Sequence, residues 1–232
     1  MSPIVFDLPP SLTLPVRGET AAFPIGRIFC VGRNYAAHAA EMGFEVDREA
    51  PFYFTKSAAN AVFTGATVPF ALGTENYHHE MELVMAIAAP VLRATPQQAR
   101  DAIYGYGCGL DMTRRDLQIA SRKIQRPWDL GKDVEDSAVF AGLTRAADMG
   151  PIGAQRIHLE VNGETRQDAV LDDLIWNVEE IICDLSKFYH LRPGDLIMTG
   201  TPAGVGPVQP EDVITGGIDG LDPISLTLGG RQ

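Results

Sequence analysis

The run Glu80-Met81-Glu82-Leu83-Val84-Met85-Ala86-Ile87-Ala88 constrains this chain more than any other stretch. It is apolar enough for a strand, and side chains alternate between the two faces of a strand, so Glu80 and Glu82 share a face. Two like charges side by side repel, and removing them from water is costly unless a cation lies between them. A fold that contains this strand must either leave that face in solvent or bring something positive to it. Asp111 ends a second apolar run, CGLDM. Three carboxylates at strand ends would make a hard, all-oxygen site suited to Mg²⁺ or Mn²⁺ with positions left open. The neighbouring His78 and His79 are read as groups that orient the backbone or the acids rather than as zinc ligands. Spacing by itself leaves the solvated face and the metal site both open.

Around this strand the chain reads as short strands joined by turns and a few helices. RIFCVG (27–32), PFYFT (51–55), the glycine-rich YGYGCGLDM (104–112), RIHLEV (156–161), LIMTG (196–200) and ISLTL (224–228) are expected strands. Asn162-Gly163 after RIHLEV is a hairpin signal. Asn34 is expected to cap a helix over 35–42, Thr95-Pro96 to open one to about 103, and Thr113-Arg114-Arg115-Asp116 to act as a capping box for one ending near 124. Val178, Ile181, Ile182, Leu185 and Phe188 recur at helical spacing. Strands outnumber helices, so the expected class is α+β, predominantly β. Residues 1–24 are Pro-rich without a period and are expected to form an extended N-terminal arm, with 25–232 as a single domain.

Several function classes fall away. A net charge of -11 with no basic run argues against a nucleic-acid partner. The longest apolar stretch, 83–92, is too short to span a bilayer, and MSPIVFDLPP does not begin like a signal peptide. Cys30, Cys108 and Cys183 form no CxxC pair and fit a reduced, cytoplasmic protein. There is no GxSxG; His79-Glu80 lacks the second histidine of HExxH; GTPAGVG (200–206) lacks the Lys-Ser/Thr of a P-loop; and GYGCGL (105–110) has the wrong glycine spacing for a dinucleotide fingerprint. His38 and Glu41 lie three apart in NYAAHAAEM, on one face of a helix, where a carboxylate can orient an imidazole and raise its basicity.

Taken in order, FCVGRNYAAHAAEMG (29–43), PFYFTKS (51–57), HHEMEL (78–83), GLDMTRRDLQ (109–118), RPWDLGKD (126–133) and MTGTPAGVGPV (198–208) resemble the fumarylacetoacetate hydrolase family, from about residue 27 to 228. The resemblance implies a mixed β-sandwich roll with a short helical lid, usually homodimeric, holding Mg²⁺ or Mn²⁺. Glu80, Glu82 and Asp111 match the family's metal ligands, and His38 and Glu41 its lid dyad. Lys132 matches the lysine after the Pro-Trp pair. Arg115 and Gln118 match polar groups facing the substrate, and Thr201 a hydroxyl that meets the substrate carboxylate. Arg33 and Lys56 occupy further matching positions and are candidates to hold a far carboxylate.

The implied activity is metal-dependent hydrolysis of a carbon–carbon bond in an acylpyruvate, with fumarylpyruvate of the gentisate pathway as the expected substrate. Glu41 with His38 would take a proton from water, and Lys132 would stabilise the oxyanion. Alternatives inside the family are oxaloacetate decarboxylation and broad acylpyruvate hydrolysis; outside it, a non-catalytic 2-keto acid binding protein. One local departure bears on Lys132: the acids Asp133, Glu135 and Asp136 follow it and offer competing partners.

Overall fold

A computed structural model of the chain places residues 5–6, 10, 12–41, 48 and 50–231. The EMELV run becomes the strand Met81–Ile87, every residue of which is buried. Its two faces enter different cores. Met81, Leu83, Met85 and Ile87 join a large apolar cluster with Ile157, Leu159, Ile214 and Leu226. Val84 and Ala86 join a smaller one with Leu14, Ile28, Cys30, Phe140 and Met198. Burial on both faces explains why the run is almost continuously apolar.

This strand is central to an eight-stranded sheet. The order runs Phe52–Lys56, Ile28–Gly32, Leu196–Met198, Met81–Ile87, Ile103–Asp111, Ala138–Phe140 and Ala61–Phe63, with Thr144–Arg145 also on Ile103–Asp111. Two pairings, Leu196–Met198 with Ile28–Gly32 and Ala138–Phe140 with Ala61–Phe63, are parallel, so the sheet is mixed. It curls round the smaller cluster. The glycines of Ile103–Asp111 permit close packing there: a Cβ on Gly109 would lie 2.6 Å from Val84 Cγ2. A second sheet covers the other face, ordered Glu164–Val170, Arg156–Val161, Val213–Ile218, Ile224–Leu228 and Ala66–Val68. The helices Pro96–Ala102 and Val178–Leu185 close the large core, each opened by a capping box, at Thr95 and Asn177. The architecture is the expected α+β fold dominated by sheet. Asn162 and Gly163 both take positive φ, 53° and 79°, as the predicted hairpin requires.

Several local expectations differ from the structure. Within the expected extended arm, Thr13–Pro15 and Ala22–Pro24 pair antiparallel, and Leu14 and Phe23 are buried in the smaller core. Strands of three residues with one inward side chain carry no period, which is why the Pro-rich composition hid them. The helix expected to end at Phe188 stops at Leu185, and Phe188 is 70% exposed. The lid helix is Ala36–Glu41; Met42, where it was expected to end, lies outside the described residues.

Candidate metal centre and catalytic cleft

At the mouth of the smaller core the inward face of the central strand changes from Ala86 and Val84 to Glu82, followed by Glu80 just before the strand. Asp111, the last residue of the neighbouring strand, meets them, and one carboxylate oxygen from each of the three lies within 4.8 Å of the others. All three are buried, Glu82 at 1% and Asp111 at 0% exposure, which removes the solvated-face reading. Lys132 Nζ donates to Glu80 Oε2 (2.7 Å), Asp111 Oδ2 (2.6 Å) and Thr113 Oγ1 (2.8 Å). Arg115 donates to Glu80 Oε1. Burial alone would raise the Glu80 carboxyl, but Lys132 and Arg115 outweigh it and hold it well below the usual carboxylate range. Burial lowers the Lys132 ammonium, yet Asp111 and Glu80 raise it above its ordinary value, so it stays charged.

Glu82 is treated differently. Among the described residues it makes no ion pair and accepts one hydrogen bond, from Gly200 N–H at 2.7 Å. Burial, then Asp111 and Glu80 beside it, push its carboxyl well above the ordinary range. Gly200 brings its N–H there with φ +98°, and a Cβ on it would lie 2.8 Å from Asn34 Cβ. Asn34 does not cap the lid helix as expected. Its Nδ2 donates to Thr199 O (2.8 Å) and Trp176 O (3.0 Å), and its Oδ1 accepts from Trp176 N–H (2.7 Å). It is a clamp that positions the Thr199-Gly200 turn.

The lid helix lies over this centre. His38 lines the cleft and is 7% exposed, with Nδ1 3.3 Å from Glu41 Oε2. Glu41 in turn accepts from Gly204 N–H at 3.2 Å, which ties the lid to the GTPAGVG loop. Burial lowers the pKa of His38, against the opposing pull of Glu80 and Glu41, so the ring is neutral near neutral pH. The cleft encloses about 490 Å³, part of it open to solvent. Arg115, Gln118, Ile119 and Arg122 line it from a single helix, Arg115–Lys123, at the i, i+3, i+4, i+7 spacing of one face. Arg115 donates to Gln118 Oε1 and, at 3.4 Å, to His78 Nδ1. His78 is pushed down to about 4 by burial and by Arg115, and is therefore a neutral acceptor. Arg33, Phe54, Trp128 and Thr201 complete much of the wall.

The structure brings together His38, Glu41, Lys132, Arg33, Arg115, Gln118, Thr201 and the three acids. Lys56 is the exception. It is 3% exposed and sits beneath the acids, 2.9 Å from Asp111 Oδ1, donating to Ser137 Oγ (2.8 Å) and Met112 O (3.1 Å). It braces the centre and does not face the cleft. Thr113 likewise caps nothing: it begins the two-residue strand Thr113–Arg114, and its hydroxyl accepts from Lys132 and donates to Asp111 O. The acids after Lys132 do not compete for it. Asp133 accepts from Ser57 N–H and Asn60 Nδ2, and Glu135 pairs with Arg114 at 3.7 Å.

One organising residue escaped sequence reasoning. Gln167, fully buried, donates to Thr201 Oγ1 (2.7 Å) and Pro202 O (2.8 Å) and accepts from Met81 N–H (3.0 Å). It joins the acid-bearing strand to the loop that presents Thr201. Its one sequence signal is an inward position in the otherwise polar strand ETRQDAV.

The residues present fit a divalent cation. The donor set is all carboxylate oxygen, and Glu82, crowded against the other two acids in the buried cluster, makes no ion pair among the described residues. The comparisons agree. Residues 27–228 match the family model described as fumarylacetoacetate hydrolase, C-terminal. A fumarylpyruvate hydrolase of Ralstonia is 53% identical over 191 residues, covering 81% of this chain and 98% of that protein. The crystal structure of fumarylpyruvate hydrolase from Pseudomonas aeruginosa, in complex with Mn²⁺ and pyruvate, superposes with a TM-score of 0.93 at 43% identity, over 99% of this chain and all of that one. An oxaloacetate tautomerase of Escherichia coli is 38% identical over 88% of this chain and 93% of its own length. The chain belongs to the fumarylacetoacetate hydrolase family.

Proposed function

We propose that this chain hydrolyses the carbon–carbon bond of an acylpyruvate, converting fumarylpyruvate and water to fumarate and pyruvate. The observation that carries the reading is the buried Glu80–Glu82–Asp111 set sharing one cleft with a neutral His38 held by Glu41. The two fumarylpyruvate hydrolases at 53% and 43% identity support the substrate. Held by the three acids, Mg²⁺ or Mn²⁺ supplies Lewis-acid stabilisation of the negative charge that develops on the 2-keto acid half. His38 takes the proton from water, and Glu41 on its Nδ1 side holds the ring and balances the imidazolium. The hydroxide adds to the carbonyl at C4. Lys132, charged and lining the cleft, acts on the oxyanion through its charge alone, its three N–H donors being held by Glu80, Asp111 and Thr113. Collapse breaks the C3–C4 bond; the electron pair leaves with C3 as the pyruvate enolate, which takes up a proton at C3. Arg115, Gln118 and Thr201 orient the substrate's near end.

The Escherichia coli relative favours a second reading, action on oxaloacetate or on acylpyruvates broadly. The deciding experiment follows fumarylpyruvate, acetylpyruvate and oxaloacetate on chelator-stripped protein, with and without Mg²⁺ or Mn²⁺. Metal-dependent loss of fumarylpyruvate well ahead of the others is expected. Preference for either other substrate moves the function to the second reading, and no turnover of any of them overturns both. Glu41→Gln should abolish hydrolysis and spare oxaloacetate decarboxylation, which uses no attacking water.

We further propose that residues 25–232 act as one catalytic domain behind an arm of 1–24, in a homodimer working in the cytoplasm in the gentisate pathway. Exposed Leu92, Phe188 and Tyr189 support an interface, and three free cysteines support a reducing setting. No described helix is long and apolar enough to cross a membrane.

A further inference from the structure

We infer that Arg122, together with Arg33, receives the far carboxylate of the acyl group, so that the cleft selects acylpyruvates ending in a carboxylate. The inference rests on the acylpyruvate reading above and names what the far end of that site recognises. Arg33 and Arg122 line the catalytic cleft and also the groove outside it, and Phe54 and Trp128 are common to both. The two aromatic rings and the two arginines thus lie where the acid-bearing cleft joins the outer groove.

The helix Arg115–Lys123 gives the length scale of that cleft. Arg115 is held at the inner end by Glu80. Arg122 lies two turns further along the same face, about 10 Å on at 1.5 Å per residue. In extended fumarylpyruvate the two carboxyl carbons are six bonds apart, or about 7–8 Å if three bonds of extended chain span 3.8 Å. The substrate's span is thus of the order of the rise from Arg115 to Arg122, so that with its 2-keto acid end at the acids its other end lies toward Arg122 in the same cleft. Acetylpyruvate stops short of it. Lys56, the other candidate from the sequence, is sealed beneath Asp111 and takes no part.

The surroundings suit a carboxylate. Phe52 and Phe54 pack on Trp128 with ring centroids 4.8 and 6.0 Å apart, and the Arg33 guanidinium lies 5.7 Å from the Phe52 ring. A fixed apolar wall lowers the local dielectric, and a guanidinium fork matches the two oxygens of a carboxylate. Arg33 holds its place with φ 60°, a left-handed conformation that residues with a Cβ rarely adopt and that persists where function needs the position. A chain of net charge -11 needs such local cations to admit a dianion.

The test measures kcat/KM for fumarylpyruvate and for acetylpyruvate in the metal-loaded protein, in Arg122→Leu and in Arg122→Lys. Losing a charge-assisted contact should lower the fumarylpyruvate-to-acetylpyruvate ratio of kcat/KM by roughly tenfold to a hundredfold in Arg122→Leu, chiefly through KM for fumarylpyruvate. Arg122→Lys, keeping charge without the fork, should recover part of it. A parallel fall for both substrates, or an unchanged ratio, overturns the inference, because a merely structural arginine would act on both alike. Fumarate binding, read by calorimetry on the same proteins, separates the two claims. If the unmutated enzyme cleaves no acylpyruvate, the functional reading has failed; fumarate affinity lost in Arg122→Leu still supports the carboxylate receptor, and equal affinity in both overturns it.

Discussion

Glu82 is the residue at which stability and metal meet most directly. Its carboxylate is buried beside two others and pushed toward the neutral form, so without a cation it is a liability that the fold tolerates. Glu82→Gln removes that repulsion. The metal-free variant should melt at or above the unmutated protein, while adding Mg²⁺ or Mn²⁺ should no longer raise its melting temperature. For the unmutated chain a ligand at a hundred times its Kd adds about 2.7 kcal/mol, a rise of roughly 5–10 °C in a protein of this size. Activity must vanish with the metal-dependent rise, and turnover surviving in Glu82→Ala under chelating conditions would sink the metal site. His38 offers a second test. Because burial lowers its pKa, the ring stays unprotonated below the ordinary value of 6.5. Activity at saturating metal should therefore persist below pH 6.5 on the acid side, and an acid limb above that value would remove His38 as the base.

At the level of elements, the strands were legible because alternation and apolar runs are written locally, and Met81–Ile87, Arg156–Val161 and Ile224–Leu228 follow directly. The clamps were not. Asn34 looks like a helix cap next to its own helix, yet its partners Trp176 and Thr199 are 142 and 165 residues away. Thr113 looks like the start of a capping box until Lys132 arrives from another segment. Gln167 serves Met81 from 86 residues away. Such roles depend on tertiary contacts that no local window contains. The acids, the His38–Glu41 pair and the helix bearing Arg115 and Gln118 were legible because their chemistry sits on local spacing. Asn34→Ala tests the clamp. It strips three hydrogen bonds from buried groups and should lower stability by about 3 kcal/mol or more in urea unfolding. The rate should fall with it, because the turn that points Gly200 N–H at Glu82 loses its anchor. Stability within about 0.5 kcal/mol of the parent would show that the clamp is dispensable.

On the scale of the whole molecule, two cores lie on opposite faces of the first sheet, and Ile28–Gly32, Met81–Ile87, Ala138–Phe140 and Leu196–Met198 each send side chains into both. The large core is closed by the second sheet and two helices, and the small one by the curl of the first sheet and the Thr13–Pro24 hairpin. Apolar side chains nevertheless remain outside, among them Phe188 and Leu92 at 70% and 48% exposure. Sedimentation at micromolar concentration should give the mass of two chains, and Phe188→Asp should shift it toward one; a single-chain mass for the unmutated protein would end the homodimer proposal.

The strand Met81–Ile87 has no face to spare. Every position on it is answerable to one core, the other, or the acid cluster at its mouth, so almost any replacement there is punished in folding before it can be tried in chemistry. At the outer end of the helix Arg115–Lys123, by contrast, Arg122 is half-buried and lines an open groove rather than either core. Variation is therefore channelled. A lineage built on this plan can change its diet at the rim, one side chain at a time, while the reaction centre it inherits stays where it is.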